Sequence, residues 1–134
     1  MSLQFSVAAR NARLDTIETT VGTSAKLLIF SGSVPANCAA ADPSGLLATI
    51  NLPSDWLNAA SAGSKTLLGT WSVAASGSGV AASFRIKDST GTTCHLQGTT
   101  TLTGGGGDLQ LDNTNITSGQ SVSVLGFTIT DGNA

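Results

Sequence analysis

The stretch SFRIKDSTGTTCHLQG, residues 83–98, contains the single histidine of the chain, His95, directly after Cys94, one of two cysteines. A thiol beside an imidazole is the pair from which a thiolate nucleophile is built. Strand parity argues against that chemistry here. SFRIK and TTCHLQ both alternate apolar with polar residues, as strands do, and adjacent strand residues face opposite ways. A three-residue loop, Ser89–Gly91, places Gly91 at the left-handed position of a hairpin turn. It pairs Asp88 with Thr92, Ile86 with Cys94 and Phe84 with Leu96. A two-residue loop, which would set Ile86 opposite Thr93, or a four-residue loop would put an apolar face against a polar one, so turn chemistry and parity agree only for three residues. This register points Cys94 inward beside Ile86, and His95 outward across from Arg85. The other cysteine, Cys38, lies in a loop bracketed by Pro35 and Pro43. Both thiols are expected to be reduced, acting as small, partly buried hydrophobes.

Other groupings that could do chemistry are weaker still. The acids Asp15, Glu18, Asp42, Asp55, Asp88, Asp108, Asp112 and Asp131 stand mostly beside glycine, serine or asparagine, where aspartate serves turns and caps. Asp108, Asp112 and Asn113 could offer oxygens to calcium, but no twelve-residue calcium loop surrounds them. The run Gly104–Gly107 leads into DLQLDN, a strand pattern, whereas a phosphate cradle leads into a helix. A Ser–His–Asp triad has only His95 for its base and lacks a Gly-x-Ser-x-Gly elbow. The expectation is a protein with no catalytic residue, no cofactor and no metal, hence not an enzyme. The candidate partner contacts are Trp56, in a loop after Pro53, together with His95 and Arg85 on the outer face of the hairpin.

These residues must be positioned by a chain of 134 residues, long enough for one domain with its own core. Only 10% of its residues are charged, while 40% are hydrophobic. The six basic residues are scattered, which excludes the concentrated positive face that nucleic acid requires. No apolar run approaches a membrane span. The N-terminus lacks the basic lead and apolar block of a secretory signal, so a cytoplasmic origin is expected. Val7, Leu14, Ile17 and Val21 recur at helical spacing, with Ser6 as N-cap and Gly22 as C-cap, predicting one helix over about 6–21. Arg10, Arg13 and Glu18 then fall on its flanks and outer side. Short apolar runs separated by glycine-bearing turns follow, predicting a mainly β fold: an antiparallel β-sandwich, with a jelly roll as its variant. Its core is expected to hold Leu14, Ile17, Leu28, Phe30, Leu47, Ile50, Leu52, Trp71, Val73, Phe84, Ile86, Leu96, Leu109, Leu111, Phe127 and Ile129. The apolar phase changes along SVSVLGFTIT, which predicts a bulge near Gly126.

The succession ARNARLD, SGSVPANCAAADPSGLLATINLP, FRIKDSTGTTCHLQG and LDNTNITSGQSVSVLGFTIT resembles a group of small structural proteins of tailed bacteriophages and prophages, over nearly the whole chain. No catalytic motif defines that group, so no site residue carries over. The resemblance implies a virion component made in the host cytoplasm. The leading expectation is a capsid decoration or cement protein bound to the major capsid protein. The alternative is a neck, tail or tail-fibre component with a host-surface glycan role. A homo-oligomer is expected in either case, with no nucleic acid and no membrane as partner.

Overall fold

The computed structural model describes residues 3–131. It opens with helix α1 (Val7–Val21), whose N-cap Ser6 accepts a hydrogen bond from the Ala9 amide and whose C-cap is Gly22 at φ 93°. Ten strands follow: β1 (Lys26–Phe30), β2 (Leu46–Asn51), β3 (Ser64–Thr66), β4 (Ser72–Ala74), β5 (Gly79–Val80), β6 (Ser83–Lys87), β7 (Cys94–Leu102), β8 (Leu109–Leu111), β9 (Asn115–Ile116) and β10 (Ser121–Thr130). The protein is mainly β with one helix, as its patterning predicts.

Eight strands form one sheet in the order β2-β1-β6-β7-β8-β10-β3, with β4 also paired to β10, while β5 and β9 form a small ribbon. The sheet curls on itself. The Ser76 and Gly77 amides, just past β4, both donate to the Leu47 carbonyl of β2 at 2.9 and 3.1 Å, so the far end of the sheet caps its first edge. Phe84 of β6 meets Phe127 of β10 edge-on, with ring centroids 5.8 Å apart, although two strands separate them in the sheet. Facing surfaces thus close over one core, in the manner of a sandwich.

The core follows the expected residues with instructive shifts. On β1 the buried positions are Leu27, Ile29 and Phe30, whereas Leu28 is half-buried on the opposite face, paired with Arg85. A register shift between Ile29 and Phe30 makes Leu47 the extra residue on β2, which lets Leu47 and Ala48 both be buried. Ile17, Val73, Leu96 and Ile129 pack against the core from partly buried positions. Val7, the first residue of the predicted helical stripe, is exposed. On β10 the predicted bulge is present: pairing with β8 slips between Val124 and Gly126, so Leu125 turns outward while Val124 and Phe127 stay buried.

One strand pair is parallel. β8 lies beside β7 in the same direction, Thr100 with Leu109 through Leu102 with Leu111. Parallel neighbours usually need a long crossover; here the chain returns through 103–108. The glycine run makes that reversal feasible. Gly104 and Gly106 take φ of 84° and 83°, and a Cβ at Gly107 would fall 2.7 Å from Thr101 Cγ2.

Candidate functional site

The outer face of the β6–β7 hairpin is covered rather than free. Ser83, Arg85 and Lys87 alternate with Phe84 and Ile86, yet all five residues of β6 are buried. The covering element is the loop 33–45. Arg85 Nη1 donates to the Ala40 carbonyl and to Asp42 Oδ1, both at 2.9 Å, and Nη2 donates to the Asn37 carbonyl at 3.0 Å and Gln97 Oε1 at 3.1 Å. Lys87 Nζ donates to Asp42 Oδ2 at 2.8 Å, and Gln97 Nε2 to the Pro35 carbonyl at 2.8 Å. Four acceptors around one planar guanidinium turn a proline-rich loop into a fixed lid. The hydrogen bond from Lys87, then its charge and the Arg85 guanidinium, hold the Asp42 carboxyl below its ordinary range against the opposing effect of burial.

The hairpin register differs from the expectation. Gly91 takes the left-handed position at φ 73°, as foreseen. Asp88, however, donates its amide to the Thr93 carbonyl, and Asp88 Oδ1 accepts from the Thr92 amide and the Thr90 hydroxyl, making the loop one residue longer. Lys87 then pairs with Cys94 and Ile86 with Leu96, leaving His95 as a bulge. The bulge restores apolar parity that an even-numbered loop would otherwise break. Two assignments change as a result. Cys94 stands on the lidded face with Lys87 and Arg85, not inward beside Ile86. His95 lines a shallow groove with Leu96 and with Thr16, Ile17 and Thr20 of α1, not the surface across from Arg85.

Of the three candidate contact residues, the structure brings none together on an open surface. Trp56 is 0% exposed. Its indole Nε1 donates to the Gly22 carbonyl at 3.0 Å, and its ring lies 6.1 Å from that of Trp71. Loop position misled here, because the loop itself folds under the helix. Arg85 is 2% exposed and fully engaged with the lid, apart from its Nε, which has no partner among the described residues. His95 is half-buried against the helix.

A second polar cluster, of which the helical pattern placed only Glu18 on the flanks and outer side, joins α1 to the excursion 54–65. Asn11, Asp15 and Glu18 recur at helical spacing, and their side chains accept from the amides of Gly63, of Ala60, and of Trp56 and Leu57 respectively. Lys65, 2% exposed, completes the cluster, with Nζ 2.8 Å from Asp15 Oδ1 and 3.0 Å from Glu18 Oε2. Asp15, Glu18 and Lys65 line an open cleft of about 580 Å³ together with Asp55. Burial works to lower the Lys65 ammonium's affinity for its proton, but the hydrogen bonds it donates to Asp15 and Glu18 outweigh that and raise the pKa. The lysine therefore holds its proton at neutral pH and has no lone pair for attack on a carbonyl. A hydrogen bond shared with Glu18, then burial and the Glu18 charge, push the Asp55 carboxyl up.

Further acids serve the backbone. Asp108 accepts from the Thr99 amide and hydroxyl, Asp112 from the Ser123 amide, and Asn113 from the Asn115 amide. Among the described residues, no group of three or more His, Cys, Asp or Glu side chains is placed to hold a metal ion. No described helix is long and apolar enough to cross a membrane. No family model, curated protein or solved structure matches the chain.

Proposed function

We propose that this protein is a non-enzymatic structural component of a tailed-bacteriophage virion, acting as a decoration or cement protein on the capsid. The observation that carries the reading is where the charges go. Arg13, Lys65, Arg85 and Lys87, four of six basic residues, form ion pairs with Asp131, Asp15, Glu18 and Asp42. A surface already poor in charge is thus left rich in serine, threonine and glycine, with Leu46, Val80, Leu102 and Leu125 exposed on it. Depletion of charge marks the central part of surfaces buried by association. The resemblance in segment order to virion structural proteins points the same way.

The test is addition of the purified protein to capsids that lack it. Saturable binding in hundreds of copies over the head, with a rise in the heat resistance of the particle, is the expected result. Attachment of a few copies at a vertex or tail would replace the capsid reading with the neck-and-tail one, and no attachment to any particle would overturn both.

A further inference from the structure

Cys38 and Cys94 are brought together by the same lid that buries Arg85. Cys38 lies between Asn37 and Ala40, whose carbonyls are both held by the guanidinium. Cys94 is paired with Lys87 on the facing strand, and Lys87 holds the lid at Asp42. The hydrogen bonds thus hold the loop cysteine beside the strand cysteine; both thiols are free and half-buried, and Cys38 is among the groups that act on the Cys94 thiol.

We propose that Cys38 and Cys94 form an intramolecular redox clasp, closing to a disulfide that locks loop 33–45 onto the β6–β7 hairpin. The oxidant is a small-molecule disulfide of the glutathione type. The Cys38 sulfur, as thiolate, attacks one sulfur of that disulfide, forming a mixed disulfide and expelling one small thiolate. Cys94 then gives up its proton to that thiolate, and its sulfur attacks the Cys38 sulfur, expelling the second small thiolate, which takes up the proton Cys38 had lost. Two protein thiols are oxidised, and one small disulfide is reduced to two thiols.

The order of attack follows from the surroundings. Burial, then the adjoining Cys38 thiol, push the Cys94 thiol up to about 12 despite the nearby Arg85 and Lys87 charges. A thiol so reluctant to ionise is a slow first nucleophile. It is also a poor leaving group, so attack on the Cys38 sulfur of the closed clasp is slow to reopen it. The bridge would join positions 38 and 94, tying together segments far apart in sequence. Such a long closed loop removes much freedom from the unfolded chain.

The full chain, incubated with glutathione disulfide and then alkylated, gives the test. The expected product is a monomer that has lost two hydrogens in mass and both alkylatable thiols, with a proteolytic fragment linking the peptides of Cys38 and Cys94. Its thermal midpoint should rise by roughly 5–15 °C, an effect absent from Cys38→Ser and Cys94→Ser and reversed by dithiothreitol. Two thiols still free, glutathione persisting on Cys38, or a bridge between two chains would each overturn the proposal. None of these readouts involves a capsid, so the clasp stands or falls independently of the virion reading.

Discussion

Arg85 organises more of the molecule than its place in an alternating strand suggests. Its replacement by alanine leaves the Asn37 and Ala40 carbonyls without their donor and removes one of two cations at Asp42. We expect a loss of about 2–4 kcal/mol, below that for a fully buried pair because Asp42 is partly exposed. Urea denaturation measures it, and Arg85→Lys should recover only part, since an ammonium cannot serve four acceptors in a plane. Trp56→Ala should cost about 3–5 kcal/mol through its cavity, whereas a surface contact would cost little. The lid is also acid-sensitive. Asp42 has a folded pKa below its ordinary 3.8, so its contribution is complete above that value and is lost as pH falls through the folded one. Limited proteolysis should therefore show loop 33–45 opening below about pH 4, and Asp42→Asn should remove that pH dependence by leaving the loop loosened at neutral pH. The alternation of Arg85 and Lys87 against Phe84 and Ile86 was legible in the sequence; what covers them was not. A charged strand face reads as solvent-facing unless a distant loop descends on it, and only Asp42 between Pro35 and Pro43 hinted at that descent.

The elements show the same division between local signals and distant partners. Helix α1 announces itself by its caps, and its apolar residues Leu14, Ile17 and Val21 do face the core. Its second inward edge is polar, Asn11, Asp15 and Glu18 bonding backbone amides of the excursion, and no hydrophobic pattern reveals an edge held that way. In the hairpin, the turn glycine was legible, but the bulge was not, because a one-residue bulge and a one-residue change in loop length preserve the same parity. The register has a sharp consequence. Deleting His95 leaves Lys87 opposite Cys94 and Ile86 opposite Leu96 as consecutive pairs, so the variant should keep its fold, with a far smaller loss than Phe84→Ala. Thermal melting of the two variants makes the comparison. At the parallel reversal, Gly106→Ala should cost about 1–2 kcal/mol, because φ of 83° is a left-handed conformation that a Cβ opposes. Guanidinium denaturation reads that loss.

Across the whole molecule, sequence pattern delivered the mainly β class and most of the core, while the closure of the sheet depended on contacts such as those of Ser76 and Gly77 with Leu47 that no single segment encodes. The proposed association through a surface poor in charge has a consequence in solution: any self-association should persist at high salt, since apolar contact is not weakened by screening as ion pairs are. Sedimentation at low and high ionic strength tests this, with dissociation in salt as the contrary result. The helix is tied to the end of β10 as well, Arg10 Nε donating to the Asp131 carbonyl at 2.9 Å and Arg13 pairing with the Asp131 carboxylate at 3.2 Å. On the ribosome that tie becomes a matter of timing. The helix emerges well before its anchor at Asp131 and the β10 strand that pairs with β3 beneath it. The helix can meet the excursion 54–65 early, but its tie to Asp131 must wait until β10 is made, and closure of that long loop is a late step of folding.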